Sequence, residues 1–142
     1  MEAYCAYQDR CHLEVSNLLK EMKMIPLAQE LIINHLIQHN FLNEERFARS
    51  YARGKFRIKK WGKRRIVNEL KRRKISRFNI SAALSEIDAE DYEATFEDLS
   101  TKKWNQLKET NIFKKKKKLA DYLLYRGWES EMIYDKLNEL TS

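Results

Sequence analysis

Five apolar positions recur three times along this chain at nearly constant spacing, and no other feature constrains its fold as tightly. Val15, Leu19, Met24, Ile33 and Leu36 map onto Ile66, Leu70, Ile75, Leu84 and Ile87 at an offset of 51. A further 53 residues on, they map onto Leu119, Leu123, Trp128, Leu137 and Leu140. Ile80 and Ile133 add a match between the second and third repeats, where the first has Gln29. Within each stretch the matched residues lie three or four apart, which puts them on one face of an α-helix. Each repeat therefore reads as helix, short joint, helix.

The joints carry their own signals. The first helix of each repeat is expected to end near Lys23, Lys74 and Gly127. Glycine suits a left-handed C-terminal cap, whereas a lysine adopts one at some cost. In the same register Pro26 falls at the first position of the second helix, where a missing N–H is tolerated, and Ser76 falls one place earlier as an N-cap. A third helical stretch follows in the first two repeats. Asn43 is its N-cap in the first, with Glu44 and Glu45 in the opening turn favoured by the helix dipole and Phe47, Ala48 and Tyr51 as its inner face. In the second, Phe96, Leu99, Trp104 and Leu107 serve.

The expected organisation is all-α: tandem three-helix repeats over residues 1–53, 54–112 (opening on a basic joint) and 113–142, the last cut to two helices, about eight helices in all. A single repeat holds few large apolar residues, so neighbours must share cores, and an elongated, curved body is expected. Only three glycines and one proline are present, too few turn formers for a β-sandwich or barrel.

Charge is segregated. Between Arg46 and Arg77 fifteen Lys and Arg stand against one acid, Glu69, a charge of +14; the remaining thirteen cations and twenty acids give −7. So concentrated a band repels itself, and a polyanionic partner is the physical reason to keep it. A second basic run spans Lys114–Lys118, and an acidic stretch over 86–98 is open to three readings: an ordinary solvated helix, a partner for the basic faces, or a contact for a basic partner. Aromatics are interleaved with the band at Phe47, Tyr51, Phe56 and Trp61. Phe47 and Tyr51 fit a core face, whereas Phe56 or Trp61 could stack on a base while lysines and arginines meet phosphates. The candidate binding residues are Arg46, Arg49, Arg53, Lys55, Arg57, Lys59, Lys60, Trp61, Lys63, Arg64, Arg65, Lys71, Arg72, Arg73, Lys115 and Lys116. Among these, Arg64, Arg65, Lys71 and Arg72 fall off the Ile66–Leu70 stripe, so one helix can pack inward and present charge outward. Charge reversal at Arg64, Arg65, Arg72 and Arg73 is expected to spare the helices.

Signals for catalysis are weak. His35 and His39 are four apart, but no carboxylate or cysteine at helical spacing completes a metal site. Three isolated glycines cannot form a phosphate-cradling loop, and Cys11 and His12, adjacent on a helix, point apart. No metal, cofactor or enzymatic activity is expected. No stretch approaches the roughly 20 apolar residues that span a bilayer. Two cysteines do not make a disulfide framework, and the first residues lack a secretory pattern. A reduced, cytoplasmic, monomeric protein is expected.

The segment Phe41-Leu-Asn-Glu-Glu-Arg-Phe-Ala-Arg-Ser-Tyr51, followed by Gly62-Lys-Arg-Arg-Ile-Val-Asn-Glu-Leu-Lys-Arg-Arg-Lys-Ile75, resembles the RecX family of bacterial regulators of the RecA recombinase. Leu42, Glu44, Glu45, Arg46, Phe47, Ala48, Gly62, Arg65, Ile66, Glu69 and Leu70 occupy the family's pattern, and Leu124-Tyr-Arg-Gly-Trp128 matches a later one. The chain departs from it at Asn40 and Lys74, where relatives often carry glycine. The resemblance implies a non-enzymatic modulator built of three-helix repeats. It also implies binding in the groove of the recombinase filament on single-stranded DNA, with suppression of ATPase, strand exchange and co-protease activity. The competing reading of the same residues is a stand-alone module that binds single-stranded or duplex DNA.

Overall fold

The spacing of apolar residues translates directly into helices. A computed structural model describes all residues, Met1–Ser142. It contains nine α-helices: α1 (Glu2–Tyr7), α2 (His12–Glu21), α3 (Pro26–Gln38), α4 (Glu44–Lys59), α5 (Lys63–Arg72), α6 (Arg77–Leu84), α7 (Ala89–Gln106), α8 (Ile112–Tyr125) and α9 (Ser130–Thr141). The helix beyond the expected eight is α1, whose six residues bury only Cys5 and are too few to show a period. Of the fifteen repeated apolar positions, Met24, Ile33, Leu84 and Leu140 are half-buried and the others are buried. The inner face of α7 is formed by Tyr92, Phe96 and Ser100, and the expected Leu99 and Trp104 are only half-buried.

The three joints share one hydrogen-bond pattern. After α2, the Met24 N–H donates to the Leu19 carbonyl and the Lys23 N–H to that of Lys20. After α5 the same pair runs from Ile75 to Leu70 and from Lys74 to Lys71, and after α8 from Trp128 to Leu123 and from Gly127 to Leu124. These are the two bonds of a Schellman cap, which requires a left-handed residue at its centre. Lys23 and Lys74 adopt φ of 58° and 59°, and Gly127 adopts 91°. Lysine at two of the three caps therefore does not divert the chain. Asn40, the other departure from the family pattern, closes α3 in the same way, with φ 59° and the Phe41 N–H on the Leu36 carbonyl at 2.8 Å.

The helix starts follow the expected chemistry. Pro26 opens α3. The Ser76 side chain accepts from the Asn79 N–H, and the Asn43 side chain accepts from the Arg46 N–H at 2.9 Å. Each satisfies an amide that the first helical turn would otherwise leave unpaired. Cys11 caps α2, its own N–H bonded to Glu14 at 3.2 Å.

The chain divides into two compact units, one of residues Met1–Arg53 with Glu69–Glu86, the other of Gly54–Asn68 with Ile87–Ser142. The first is built on Cys5, Val15, Leu19, Leu36 and Leu42, with Met1, Tyr4, Met24, Ile32, Ile33 and Phe41 packed around them. The second centres on Trp128, which is fully buried; its ring lies 4.5 Å from Tyr92 and 5.3 Å from Phe96, and Phe56 lies 5.8 Å from Tyr92. No helix is long and apolar enough to cross a membrane.

Candidate nucleic-acid interface

The basic joint is shorter than its composition suggests. Gly54 lies inside α4, which continues to Lys59, leaving Lys60, Trp61 and Gly62 as the whole connection to α5. These three residues are clamped by the joint between α8 and α9. Arg126 donates a side-chain hydrogen bond to the Lys59 carbonyl at 2.8 Å, and the Trp128 indole donates to the Lys60 carbonyl at 3.1 Å. The Gly62 N–H donates to the Arg126 carbonyl at 2.8 Å and the Arg64 N–H to the Gly127 carbonyl at 3.0 Å. A Cβ on Gly62 would overlap the Gly127 carbonyl, so the two backbones meet where only glycine fits. The Lys63 N–H donates to the Tyr92 hydroxyl at 2.8 Å, and that hydroxyl donates to Glu129 at 2.5 Å. Burial, reinforced by Glu129, pushes the Tyr92 phenol well above its ordinary pKa, so it stays a donor at neutral pH.

Cations of the band fall into two environments. In the first unit they meet acids. Arg46 holds Asp9 at 2.7 Å, Arg49 and Arg53 converge on Glu86 at 3.0 and 3.2 Å, and Arg72 and Arg73 converge on Glu69 at 3.2 and 3.0 Å. Arg49 holds the Glu86 carboxyl below the ordinary range, with Arg53 adding to the effect. At Glu69 burial raises the pKa, but hydrogen bonds and charge from Arg73 and Arg72 outweigh it and leave the carboxyl lowered. Arg73 is half-buried, its guanidinium 4.8 Å from the Tyr51 ring, so its reversal would remove packing as well as charge. Lys71 and Arg72 are exposed.

In the second unit the cations meet rings and carbonyls. Arg65 lies 4.1 Å from the centroid of Trp61 and 4.7 Å from that of Tyr125, and Lys55 lies 5.0 Å from Trp61. Lys63 sits over Tyr92 at 4.6 Å. Arg64 is exposed and 3.4 Å from the Ser130 hydroxyl; Arg57, Lys59 and Lys60 are exposed. Arg57 and Lys60 also line a cleft of about 350 Å³ whose other wall includes Asp91 and Asp98. Trp61 is half-buried, whereas Phe56 is buried in the core, which corrects the expectation that it is free to stack on a base. In the second basic run the Lys115 ammonium lies 4.2 Å from the Trp104 ring, Lys116 is half-buried, and Lys117 and Lys118 pair with Asp121 and Glu109.

The acidic stretch thus serves two ends: Glu86 neutralises α4 arginines, and Glu97 binds the buried Lys136. Among groups with chemical potential, Cys11 is fully buried, and burial raises its thiol pKa to about 11. His35 and His39 have ring centroids 4.4 Å apart, and the fold brings Glu2, 33 residues away, to 2.5 Å from His35. That contact was invisible to helical spacing. No three His, Cys, Asp or Glu side chains converge on a point that could hold a metal ion.

Residues 43–84, which carry α4–α6, match the second three-helix domain of RecX, and residues 90–137, which carry α7–α9, match the third. The regulatory protein RecX of Serratia proteamaculans is 35% identical over 115 residues, covering 81% of this chain and 67% of the relative. The chain belongs to the RecX family. The regulatory protein RecX of Clostridium acetobutylicum is 32% identical over 133 residues, covering 91% of the chain and 61% of the relative. That of Clostridium perfringens strain 13 is 33% identical and is covered over 52% of its length, so the chain spans about half to two thirds of these RecX proteins. The crystal structure of RecX from Lactobacillus salivarius shares the fold, with a TM-score of 0.81 at 24% identity over 98% of this chain and 90% of that one. A second RecX crystal structure gives 0.84 at 21% identity over 96% of this chain and 68% of that one.

Proposed function

We propose that this RecX-family chain regulates the RecA recombinase by binding the recombinase filament on single-stranded DNA in its groove, suppressing ATPase, strand exchange and co-protease activity. The observation that carries this reading is the state of the cations between Arg57 and Arg65. They sit on aromatic rings, on backbone carbonyls or in water, whereas every carboxylate-paired cation of the band lies in the first unit. A cation on a ring keeps its net charge and remains available to a phosphate, whereas one paired with a carboxylate does not. The clamp on Lys59–Arg64 fixes these groups in one arrangement, which lowers the ordering cost of binding. The proposed contact set is therefore Lys55, Arg57, Lys59, Lys60, Trp61, Lys63, Arg64 and Arg65, joined by Lys71, Lys115 and Lys116. Arg46, Arg49, Arg53, Arg72 and Arg73 support the fold and contribute less. The protein acts in the cytoplasm as a monomer and without a cofactor.

The test is to add the chain to preformed filaments on single-stranded DNA and follow ATP hydrolysis, with a titration of naked DNA alongside. Inhibition well below the concentrations that coat naked DNA supports a filament-directed regulator. Inhibition only where free DNA is already covered rejects it in favour of a DNA-binding module.

A further inference from the structure

The second unit carries more cation–ring contacts than the basic band accounts for, and they are continuous. Arg65 lies between Trp61 and Tyr125. Tyr122, one turn before Tyr125 on α8, neighbours it on the helix surface. Its ring takes Arg126 at 4.6 Å and Lys103 of α7 at 4.7 Å. We infer that Trp61, Arg65, Tyr125, Tyr122, Lys103 and Arg126 form a track for one strand of DNA, with bases stacked on the rings and phosphates held by the cations. The inference deepens the filament reading, on which it rests for the identity of the nucleic acid.

Three observations select a single strand. Tyr125 is 76% exposed, a large ring left in water beside a guanidinium. None of the track's three cations, Arg65, Lys103 and Arg126, is in an ion pair, and on α8 the nearest carboxylate, Asp121, is turned to Lys117 at 2.9 Å. Rings and cations are interspersed along the track. A partner must therefore offer both flat apolar surfaces and negative charge. A single polynucleotide strand does so, whereas a duplex hides its base faces in the stack and an acidic protein surface offers charge without rings. Four of the six track residues lie outside the basic band: Tyr122, Tyr125 and Arg126 are on or just after α8 and Lys103 is on α7.

The test compares an oligothymidine with an abasic oligonucleotide of equal length, so that phosphates are matched and only bases differ, by fluorescence anisotropy at fixed salt. The native chain is expected to bind the oligothymidine at least about tenfold tighter, as base–aromatic stacking implies. Tyr125→Ala is expected to weaken that binding about tenfold and leave the abasic strand unaffected, while Tyr125→Phe retains the preference. The exposure of Tyr125 means the variant keeps its helices, which circular dichroism checks. Equal binding of the two strands by the native chain, or equal weakening of both by Tyr125→Ala, overturns the track. Filament inhibition without a base preference would sink the track and leave the filament reading standing. A base preference without filament inhibition would do the reverse.

Discussion

The same residue type behaves differently in the two compact units. Arginines of the first unit are structural counter-ions: Arg46 ties α4 to Asp9, and Arg49 and Arg53 share Glu86. In the second unit Lys63 and Arg65 of the band lie on Tyr92, Trp61 and Tyr125, and Arg126 lies on Tyr122. The difference is one of available charge. A carboxylate cancels a cation locally, while a ring quadrupole attracts it and leaves its field intact. A band that reads as a uniform +14 along the sequence thus has its carboxylate-paired arginines toward its two ends and its ring-borne cations in the middle.

The strongest way to break this contrast is to remove the clamp beneath the second unit. Trp128→Ala deletes a fully buried ring and the indole donor to the Lys60 carbonyl. A loss of about 3–5 kcal/mol is expected, read by urea denaturation, together with loss of DNA binding as the 59–64 segment loosens. Unchanged stability would mean that Trp128 is not the keystone of this core.

Charge reversal sharpens the contrast more selectively. Arg64→Glu removes an exposed cation without a carboxylate partner, so affinity for single-stranded DNA should fall about tenfold, with the slope of log affinity against log salt shrinking by roughly 0.7 for the lost cation. Its melting temperature should not move. Arg46→Ala should do the opposite: a loss of up to about 1 kcal/mol for a partly exposed pair, and little change in the salt slope. If both variants weaken binding equally, the division between structural and live cations fails.

Acid titration probes the carboxylates of the first unit. Glu44, Glu69 and Glu86 all have lowered folded pKa values: hydrogen bonds from Asn79 and Ser76 overcome burial at Glu44, and arginines act at the other two. A carboxyl with a lowered folded pKa stabilises the fold above its unfolded value, about 4.3, and that contribution disappears as pH falls through the lowered value. The first unit should therefore lose stability below about pH 4.3, and Glu86→Gln should flatten that acid limb in a melting-temperature series. An acid limb identical to that of the native chain would remove Glu86 from this account.

Most of the fold was legible because its signals are local and repeated. Val15, Ile66 and Leu119 occupy one register, and the joints at Lys23, Lys74 and Gly127 share one cap, so period and punctuation agreed. The interface was legible only in composition. Nothing in the spacing of Arg49 and Glu86, 37 residues apart, announces that they pair, and Tyr125 and Arg65 meet across 60 residues. Phe56 misled because its aromatic-in-a-basic-stretch pattern fits a contact residue, while α4 continues through Gly54 and turns that ring into the core.

The smallest effect tests whether the caps are equivalent in the two units. Lys74, in the first, and Lys60, in the second, both adopt φ of 59°. An L-residue there carries about 1–2 kcal/mol of steric cost that glycine relieves, offset in part by the greater freedom glycine gives the unfolded chain. Lys74→Gly should therefore stabilise the chain by about 0.5–1 kcal/mol and leave DNA affinity nearly unchanged, since Lys74 lies outside the proposed contact set. Lys60→Gly should give a similar gain in stability, because the carbonyl held by Trp128 is backbone and survives the change. But it should lower affinity, since it deletes an exposed cation from the live segment. Equal affinity for the two glycine variants would place Lys60 with the structural cations and move the boundary between the two environments past the α4–α5 joint.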